Sequence, residues 1–179
     1  MAEVDDEVTG NDPSAVFKEE LQRLVATFER NLALYKSAGY DEASLRQEFL
    51  NPFFRTLGWD VENTAGRIPS QREVELESRT TIAGRQKRAD YLFRADGRDR
   101  FVCEAKRPVE DLDAAYAFQA KRYAWNKDLP LAVLTDFEEL KVYVVGSKPH
   151  VAEPEVGLWR TWSFRQYLEA APEIWNLLA

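Results

Sequence analysis

The sequence predicts one mixed domain of the α/β or α+β class, in which helices flank a central sheet of mixed strand direction. Two amphipathic helical segments open the chain, strand-like runs fill its middle, and a further helix separates these runs from two apolar strands. The chain has 179 residues, of which 45% are hydrophobic, and this is enough for one hydrophobic core. The predicted order of elements is α-α-β-β-β-β-α-β-β-α.

The first part of the chain predicts two helices. Asp12 followed by Pro13 is typical of a helix start, and the helix is expected to end at Gly39. A second helix is predicted from Asp41, with a bend at Pro52 and an end at the Leu-Gly-Trp sequence of residues 57–59. Apolar residues recur at helical spacing in both segments, at Phe17, Leu21, Leu24, Phe28, Leu32 and Tyr35, and then at Leu45, Phe49, Phe53 and Leu57.

Strand-like runs follow the second helix. An extended segment is expected after Trp59, and residues 73–77 alternate as a half-buried strand does. Asp96-Gly97 is a strong signal for a hairpin turn. The two strands of this hairpin are predicted at residues 89–93 and 100–105.

Beyond the hairpin, Pro108 ends the strand because proline cannot donate to a sheet ladder. A third helix is predicted next, followed by two apolar strands, a less regular stretch and a short helix after Pro172. The predicted ranges are 109–125 for the helix and 131–135 and 140–145 for the strands.

The charge of the chain is unevenly distributed. The formal net charge is −7, yet residues 1–12 contain five acids and no base. We expect these residues to be a disordered acidic tail, and residues 13–179 to form the folded domain. Between Gly84 and Arg107 eight bases stand against four acids, a local excess compatible with a phosphate-facing surface. A solvated charged hairpin is the alternative.

Other classes of protein are disfavoured by the composition. Cys103 is the only cysteine, which excludes a disulfide framework and a cysteine zinc site. No apolar run reaches the roughly 18 residues of a membrane span, and the acidic start is unlike a signal peptide. We therefore expect a cytoplasmic protein without a membrane partner.

One strand of the hairpin carries charged residues on a single face. Alternation places Glu104 and Lys106 together, opposite the apolar side chains of Phe101, Cys103 and Ala105. A turn centred on Gly97 brings Asp90 opposite Glu104, with Cβ atoms roughly 4.5–5.5 Å apart. We expect the two carboxylates to come close enough to share a cation, with Lys106 beside them and Gln119 pointing to them from the third helix.

Two carboxylates and a lysine suit the chemistry of a hard cation. Mg²⁺ binds one or two carboxylates together with water and phosphate oxygens, and lowers the pKa of a bound water. A neighbouring lysine such as Lys106 can orient that water or stabilise charge that develops on phosphate. The alternative is a salt bridge on a solvated sheet face.

The sequence also resembles a known family. Asp90, followed after thirteen residues by Glu104-Ala105-Lys106, resembles the PD-(D/E)XK nuclease signature, although Ala89 stands where the motif has proline. The likeness covers about residues 40–145. Three further segments are similar to nuclease domains of restriction enzymes: residues 49–59, the QxxxY-like sequence of residues 119–123, and residues 134–140.

This resemblance implies a Mg²⁺-dependent DNA endonuclease, in which Mn²⁺ can substitute. It implies Asp90 and Glu104 as metal ligands and Lys106 as the catalytic lysine. Glu48, on the second helix, matches an acidic residue that often completes such a site, although a solvated glutamate is the alternative. The domain is most similar to the N-terminal nuclease domain of type IIG-like restriction–modification polypeptides, whose methyltransferase and specificity domains lie outside this chain.

Further assignments concern the third helix and the basic residues. With the family resemblance, Gln119 is expected to reach the catalytic cluster, and Tyr123 to support it or touch DNA. Without the resemblance, Tyr123 would be a buried core residue. Double-stranded DNA is the expected partner, contacted by Arg85, Lys87, Arg88 and Arg107.

Two rival functions stay open at the level of the sequence. The chain could be a DNA-binding or scaffolding module that keeps a nuclease fold without turnover, but the intact set of Asp90, Glu104 and Lys106 argues against this. It could also be the nuclease domain of an ATP-driven type I restriction subunit. Whether the domain belongs to a type IIG-like polypeptide or to a type I subunit, the isolated chain is expected to bind DNA weakly and without sequence preference. The reason is that it can neutralise only a few phosphates.

Overall fold

A computed structural model describes residues 12–179. The predicted tail therefore lies outside the described residues except for Asp12, whose side chain caps the first helix by accepting from the N–H of Ser14. The helices are α1 Pro13–Arg30, α2 Leu32–Tyr35, α3 Glu42–Leu45, α4 Asn51–Thr56, α5 Ala114–Asn126 and α6 Tyr167–Leu178. The strands are β1 Val74–Ile82, β2 Arg85–Ala95, β3 Arg98–Ala105, β4 Leu131–Thr135, β5 Glu139–Val144 and β6 Leu158–Ser163.

The six strands form one sheet in the order β1-β2-β3-β4-β5-β6. Only β3 and β4 run parallel, and α5 provides the crossover that a parallel pair requires. One core cluster unites one face of the sheet with α1, the α3–α4 segment and α6, and a second packs the other face against α5. The predicted mixed α/β class, with helices flanking a mixed sheet, is confirmed.

The hairpin between β2 and β3 has the predicted turn. Asp96 and Gly97 both have positive φ, at 52° and 72°, as a two-residue turn of type I′ requires. Tyr91 pairs with Cys103 and Phe93 with Phe101. Continued by one residue, this register places Asp90 opposite Glu104, as predicted. A bulge after Phe93 absorbs the one-residue shift between this register and the turn.

The helices before the sheet are less regular than predicted. The first helix ends at Arg30, and a separate short helix follows Asn31. Between α3 and α4 the chain makes a π turn over Arg46–Leu50. This turn precedes Pro52, which has no N–H to continue the α-helical ladder, so the predicted bend takes the form of a widened turn.

Three predicted elements differ from those in the structure, and one strand was not predicted. Residues 60–72 contain no strand, whereas Leu158–Ser163 form the unpredicted edge strand β6. Helix α5 begins at Ala114 because Asp113 caps it, later than predicted. Helix α6 begins before Pro172, which lies within it.

The hairpin formed by β1 and β2 extends beyond the rest of the sheet. β2 pairs with β3 only from Tyr91 onward, whereas its earlier residues pair with β1 alone. The turn consists of Ala83 and Gly84, both with positive φ. Residues 78–89, which we call the arm, form a two-stranded ribbon. Ile82 and Ala89 anchor the arm in the core cluster of α5.

Across the described part of the chain, none of the helices combines the length and the apolar character that crossing a bilayer requires.

Candidate active site

Asp90 and Glu104 lie where strands β2 and β3 separate. The last paired residues are Tyr91 and Cys103. The Asp90 carboxylate then replaces a main-chain acceptor, because its Oδ2 accepts the N–H of Ala105 over 2.7 Å. Where the strands separate, the Asp90 carboxylate thus accepts a main-chain hydrogen bond that a carbonyl of the neighbouring strand would otherwise accept.

Glu104 is buried, with 3% of its surface exposed. Its Oε1 accepts from Lys106 Nζ at 3.2 Å and from Gln119 Nε2. Its Oε2 is also buried but has no hydrogen-bond partner among the residues described. A buried carboxylate oxygen without a donor is costly unless a cation or water completes the site.

Both carboxylates hold a proton more tightly than a free carboxylate does, chiefly because they are buried. Burial, and then the charge of Asp90, raises the pKa of Glu104 to about 8, against the opposing effect of Lys106. Burial also raises the pKa of Asp90, while the N–H of Ala105 and the charge of Arg46 act in the other direction. A cation placed between the two groups would relieve both desolvation and repulsion.

Lys106 lies between the carboxylates and helix α5. Its ammonium is 3.2 Å from Glu104 Oε1 and 4.8 Å from the ring centre of Tyr116, and 12% of its side chain is exposed. Lys106 and Gln119 therefore both contact Glu104, while the Asp90 carboxylate is held by the N–H of Ala105, the residue next to Glu104.

Tyr123 lies one helical turn beyond Gln119 and is buried, with 4% of its surface exposed. Burial raises the pKa of its hydroxyl, and the nearby charge of Glu104 acts in the same direction. Burial of this ring favours the predicted supporting role and leaves little surface for the predicted contact with DNA.

The segment of α3 and the π turn brings two residues to the site that the sequence analysis missed. Arg46 Nη1 is 3.5 Å from Asp90 Oδ1, and its guanidinium lies 5.2 Å from the ring centre of Tyr91. Glu42 lies one turn earlier, and burial followed by the charge of Asp90 raises its pKa. In the sequence this pair has the spacing of an ordinary exposed ion pair on a helix, so no signal singled it out.

Glu48 has a different environment from the one predicted. Its Oε2 accepts from the hydroxyl of Tyr40 at 3.1 Å, and it lines a groove against α1 with Arg23 and Thr27. Within residues 12–179, no hydrogen bond or ion pair joins Glu48 to Asp90 or Glu104. Its metal-ligand role stays a prediction without a supporting contact, and Glu42 is the helical acid near Asp90.

The predicted DNA-contacting bases fall into two groups. The arm contains four bases and no acid, at Arg79, Arg85, Lys87 and Arg88, and all four are exposed. Arg88 pairs with Glu77 at 2.9 Å, whereas the other three form no ion pair within the described range. Arg107 lies outside the arm and is half-buried, and its guanidinium donates hydrogen bonds to the carboxylate of Glu110 and to the carbonyl of Ala38.

The donor set is compatible with a hard cation. In the described range no group of three or more His, Cys, Asp or Glu side chains is arranged to hold a metal ion. Mg²⁺ needs only one or two carboxylates, because water and substrate phosphate supply the remaining oxygens. Glu104 Oε2 and Asp90 Oδ1 are the oxygens that the hydrogen bonds of Lys106, Gln119 and Ala105 leave for such an ion.

The fold and this cluster together are compatible with a nuclease core, and comparison with known proteins points the same way. No family model matches the chain. It is 33% identical over 169 residues to the type II restriction enzyme and methyltransferase RM.Eco57I of Escherichia coli. The match covers 90% of this chain and 17% of the relative. The chain is therefore related in sequence to a small part of a restriction enzyme.

Proposed function

We propose that this chain is a magnesium-dependent DNA endonuclease domain of the PD-(D/E)XK type, acting in a restriction–modification system. The single observation that carries the proposal is the buried, unpartnered Oε2 of Glu104 beside Asp90, with Lys106 on the same carboxylate. A salt bridge on a solvated face would leave Lys106 and Glu104 exposed, but both are mostly buried. The relationship to a restriction enzyme supports the same conclusion.

Asp90 and Glu104 would hold the Mg²⁺ ion, and Mn²⁺ would substitute because it takes the same oxygen ligands. The ion supplies a water of lowered pKa and a positive charge at the phosphate. Gln119 fixes the rotamer of Glu104 by donating to Oε1, which would leave Oε2 available to hold the ion. Ala105 does the same for Asp90 through its main-chain N–H.

Lys106 would act as a hydrogen-bond donor at the reacting phosphate. Its Nζ donates to Glu104 Oε1 and has two further hydrogens for a water or phosphate oxygen. It can therefore orient the attacking water or stabilise the charge that develops on phosphate. Since its side chain is held between Glu104 and the ring of Tyr116, little conformational entropy is lost when it acts.

Double-stranded DNA is the proposed substrate. The arm extends from Asp90 and carries four exposed bases, which would contact the phosphate backbone beyond the catalytic cluster. Such contacts carry no sequence information. The recognition of a site would come from further domains, and the relative's combination of restriction enzyme and methyltransferase supports a type IIG-like arrangement over a type I translocating subunit.

Cleavage of plasmid DNA tests the proposal. The restriction–modification polypeptide that carries this domain is incubated with methylated and unmethylated supercoiled plasmid, in Mg²⁺ and in EDTA. We expect cutting of unmethylated plasmid in Mg²⁺ alone and its loss in Asp90→Asn. Asp128→Asn, on an exposed turn, is the matched control and should cut normally. Undiminished cutting in EDTA would remove the metal mechanism, and a protein that binds but never cuts plasmid would favour the inactive module.

A further inference from the structure

Arg46 is the one cation other than Lys106 that contacts a proposed metal ligand within the described residues. Its Nη1 lies 3.5 Å from Asp90 Oδ1 and 4.0 Å from Glu77 Oε1. Only 17% of its side chain is exposed. A guanidinium in this position faces acids on the neighbouring strands rather than solvent.

Glu77 reaches this position through an unusual backbone. In the register of β1 and β2 it stands opposite Asp90, between the pairs formed by Leu76 and Ser78, but the ladder omits this one pair. Its φ is +53°, a conformation that costs a non-glycine residue of the order of 1–3 kcal/mol. The strand thus kinks at the residue that joins Arg46 to the arm, since Glu77 also pairs with Arg88.

The contacts of Arg46 are long for a guanidinium among carboxylates. Charge-assisted hydrogen bonds are normally about 2.7–2.9 Å, whereas both contacts of Arg46 are longer. Asp90 Oδ2 already accepts the N–H of Ala105, so Oδ1, the oxygen that faces Arg46, is the better placed of the two for a metal ion. The ion and the guanidinium would then repel each other at close range.

We propose that Arg46 is a resident counter-ion that makes metal binding at this site depend on DNA. Without DNA, Arg46 neutralises Asp90 and keeps the affinity for a divalent cation low. When DNA is bound, a backbone phosphate attracts Arg46 away from Asp90, and Oδ1 becomes free for the ion. Arg46 is thus a positioning residue that protects the metal site from filling before the substrate arrives. This inference rests on the proposed function.

The test compares Arg46→Met, which keeps the bulk and removes the charge, with Arg46→Lys, which keeps the charge. Binding of Mn²⁺ to the 179-residue chain is measured by calorimetry without DNA. We expect Arg46→Met to bind Mn²⁺ on the order of tenfold more tightly than wild type, because a nearby like charge has been removed. Arg46→Lys should stay close to wild type. Arg23→Met, an exposed arginine on α1, controls for the change in net charge.

DNA binding in EDTA provides the second measurement. With a short duplex, Arg46→Met should bind more weakly than wild type, and the dependence of affinity on salt should lose about one phosphate contact. A purely structural Arg46 would give the opposite result for the metal: Asp90 would be misplaced, and Arg46→Met would bind Mn²⁺ more weakly. Weaker or unchanged Mn²⁺ binding by Arg46→Met overturns the inference.

Asp90→Asn separates this failure from a failure of the proposed function. If wild type binds Mn²⁺ and Asp90→Asn does not, the metal site stands, and the behaviour of Arg46→Met alone decides the inference. If Asp90→Asn binds Mn²⁺ as wild type does, the proposed metal site is wrong and the inference falls with it. Circular dichroism and thermal unfolding of each variant establish that the compared proteins are folded.

Discussion

The main-chain N–H of Ala105 donates to the carboxylate of Asp90 over 2.7 Å, at the point where two paired strands separate. This bond links a proposed metal ligand to the backbone of the strand that carries the other one, Glu104. The spacing of the two ligands is therefore set by the sheet rather than by flexible side chains. Positioning on rigid strands is what a two-carboxylate metal site requires.

The first prediction concerns the two carboxylates. Asp90→Asn and Glu104→Gln keep the shape and one acceptor oxygen, but replace the other oxygen with an NH₂ donor and remove the negative charge. We expect each to reduce Mn²⁺ affinity by more than about tenfold, since ligands matter at least as much as the residues that support them. Calorimetry on the folded variants measures this, and normal Mn²⁺ binding by both variants would exclude the assigned ligands.

Lys106 is expected to separate metal binding from cleavage. Lys106→Met keeps the stem of the side chain beside Tyr116 and removes the ammonium from Glu104. We expect Mn²⁺ binding to be kept and plasmid cleavage to fall by about 100-fold or more, the usual cost of losing one donor at a developing charge. Cleavage at the wild-type rate would show that another residue is the catalytic donor.

The affinity for metal should rise with pH. Burial and the charge of Asp90 raise the pKa of Glu104 to about 8. Below this pH a proton must leave before a cation binds, so affinity should fall by roughly tenfold per pH unit and level off above pH 8. Calorimetry in buffers of different ionisation enthalpy should detect the release of about one proton at pH 7. Binding that is independent of pH between 6 and 8 would contradict a raised pKa in the free protein.

The arm is expected to bind DNA through bases that destabilise the folded protein when DNA is absent. Arg79 and Arg88 are direct partners across the ribbon, and like charges in this position repel. Arg79→Gln should therefore raise the free energy of unfolding by a few tenths of a kcal/mol, about the size of such a pair. The same change should weaken DNA binding and reduce its salt dependence by about one phosphate. Filter binding across a salt series measures this.

Arg165→Gln is the matched control for the arm, because Arg165 pairs with Glu29 away from the arm. It should leave the salt dependence of DNA binding unchanged. If Arg79→Gln binds DNA as wild type does, the arm is a solvated hairpin rather than a contact with the substrate.

The sequence predicted the hairpin turn from a local signal, whereas the register at the site, which also agrees with the prediction, depends on the bulge after Phe93. Asp96-Gly97 specifies the turn, and alternation specifies which residues share a face with Glu104. The contact of Gln119 with Glu104 was also anticipated, from the family resemblance.

Tertiary features explain what the sequence did not predict. Arg46 and Glu42 reach Asp90 because the chain between α3 and α4 widens into a π turn, which helical periodicity does not anticipate. Strand β6 was missed because its burial alternates but its polarity does not: Arg160 lies on the less exposed side and Trp159 on the exposed side of this edge strand. Both cases depend on the packing of distant segments.

Asp136 gives a test of the fold that is independent of the catalytic site. This residue lies between β4 and β5, is 3% exposed, and accepts the N–H of Glu139 at 2.8 Å. Burial is the main cause that raises its pKa to about 8, and the charges of Glu138 and Glu139 add to it. The folded protein therefore holds this proton more tightly than the unfolded chain does.

Asp136→Asn should stabilise the protein by an amount that increases as pH rises. Between about pH 4 and pH 8 the folded state binds more protons than the unfolded state at Asp136, so its contribution to stability decreases as pH rises and is constant above 8. Asparagine keeps the acceptor for Glu139 and cannot ionise. Relative to wild type, we expect a gain in the free energy of unfolding that is already present at pH 5 and is larger by about 2–4 kcal/mol at pH 8.5, because the loss in wild type accumulates at up to about 1.4 kcal/mol per pH unit between the unfolded and folded pKa values. Urea unfolding at both pH values measures the difference, with Asp128→Asn as an exposed control whose effect should not vary with pH. An equal effect of Asp136→Asn at the two pH values would mean that Asp136 is ionised in the folded protein throughout this range.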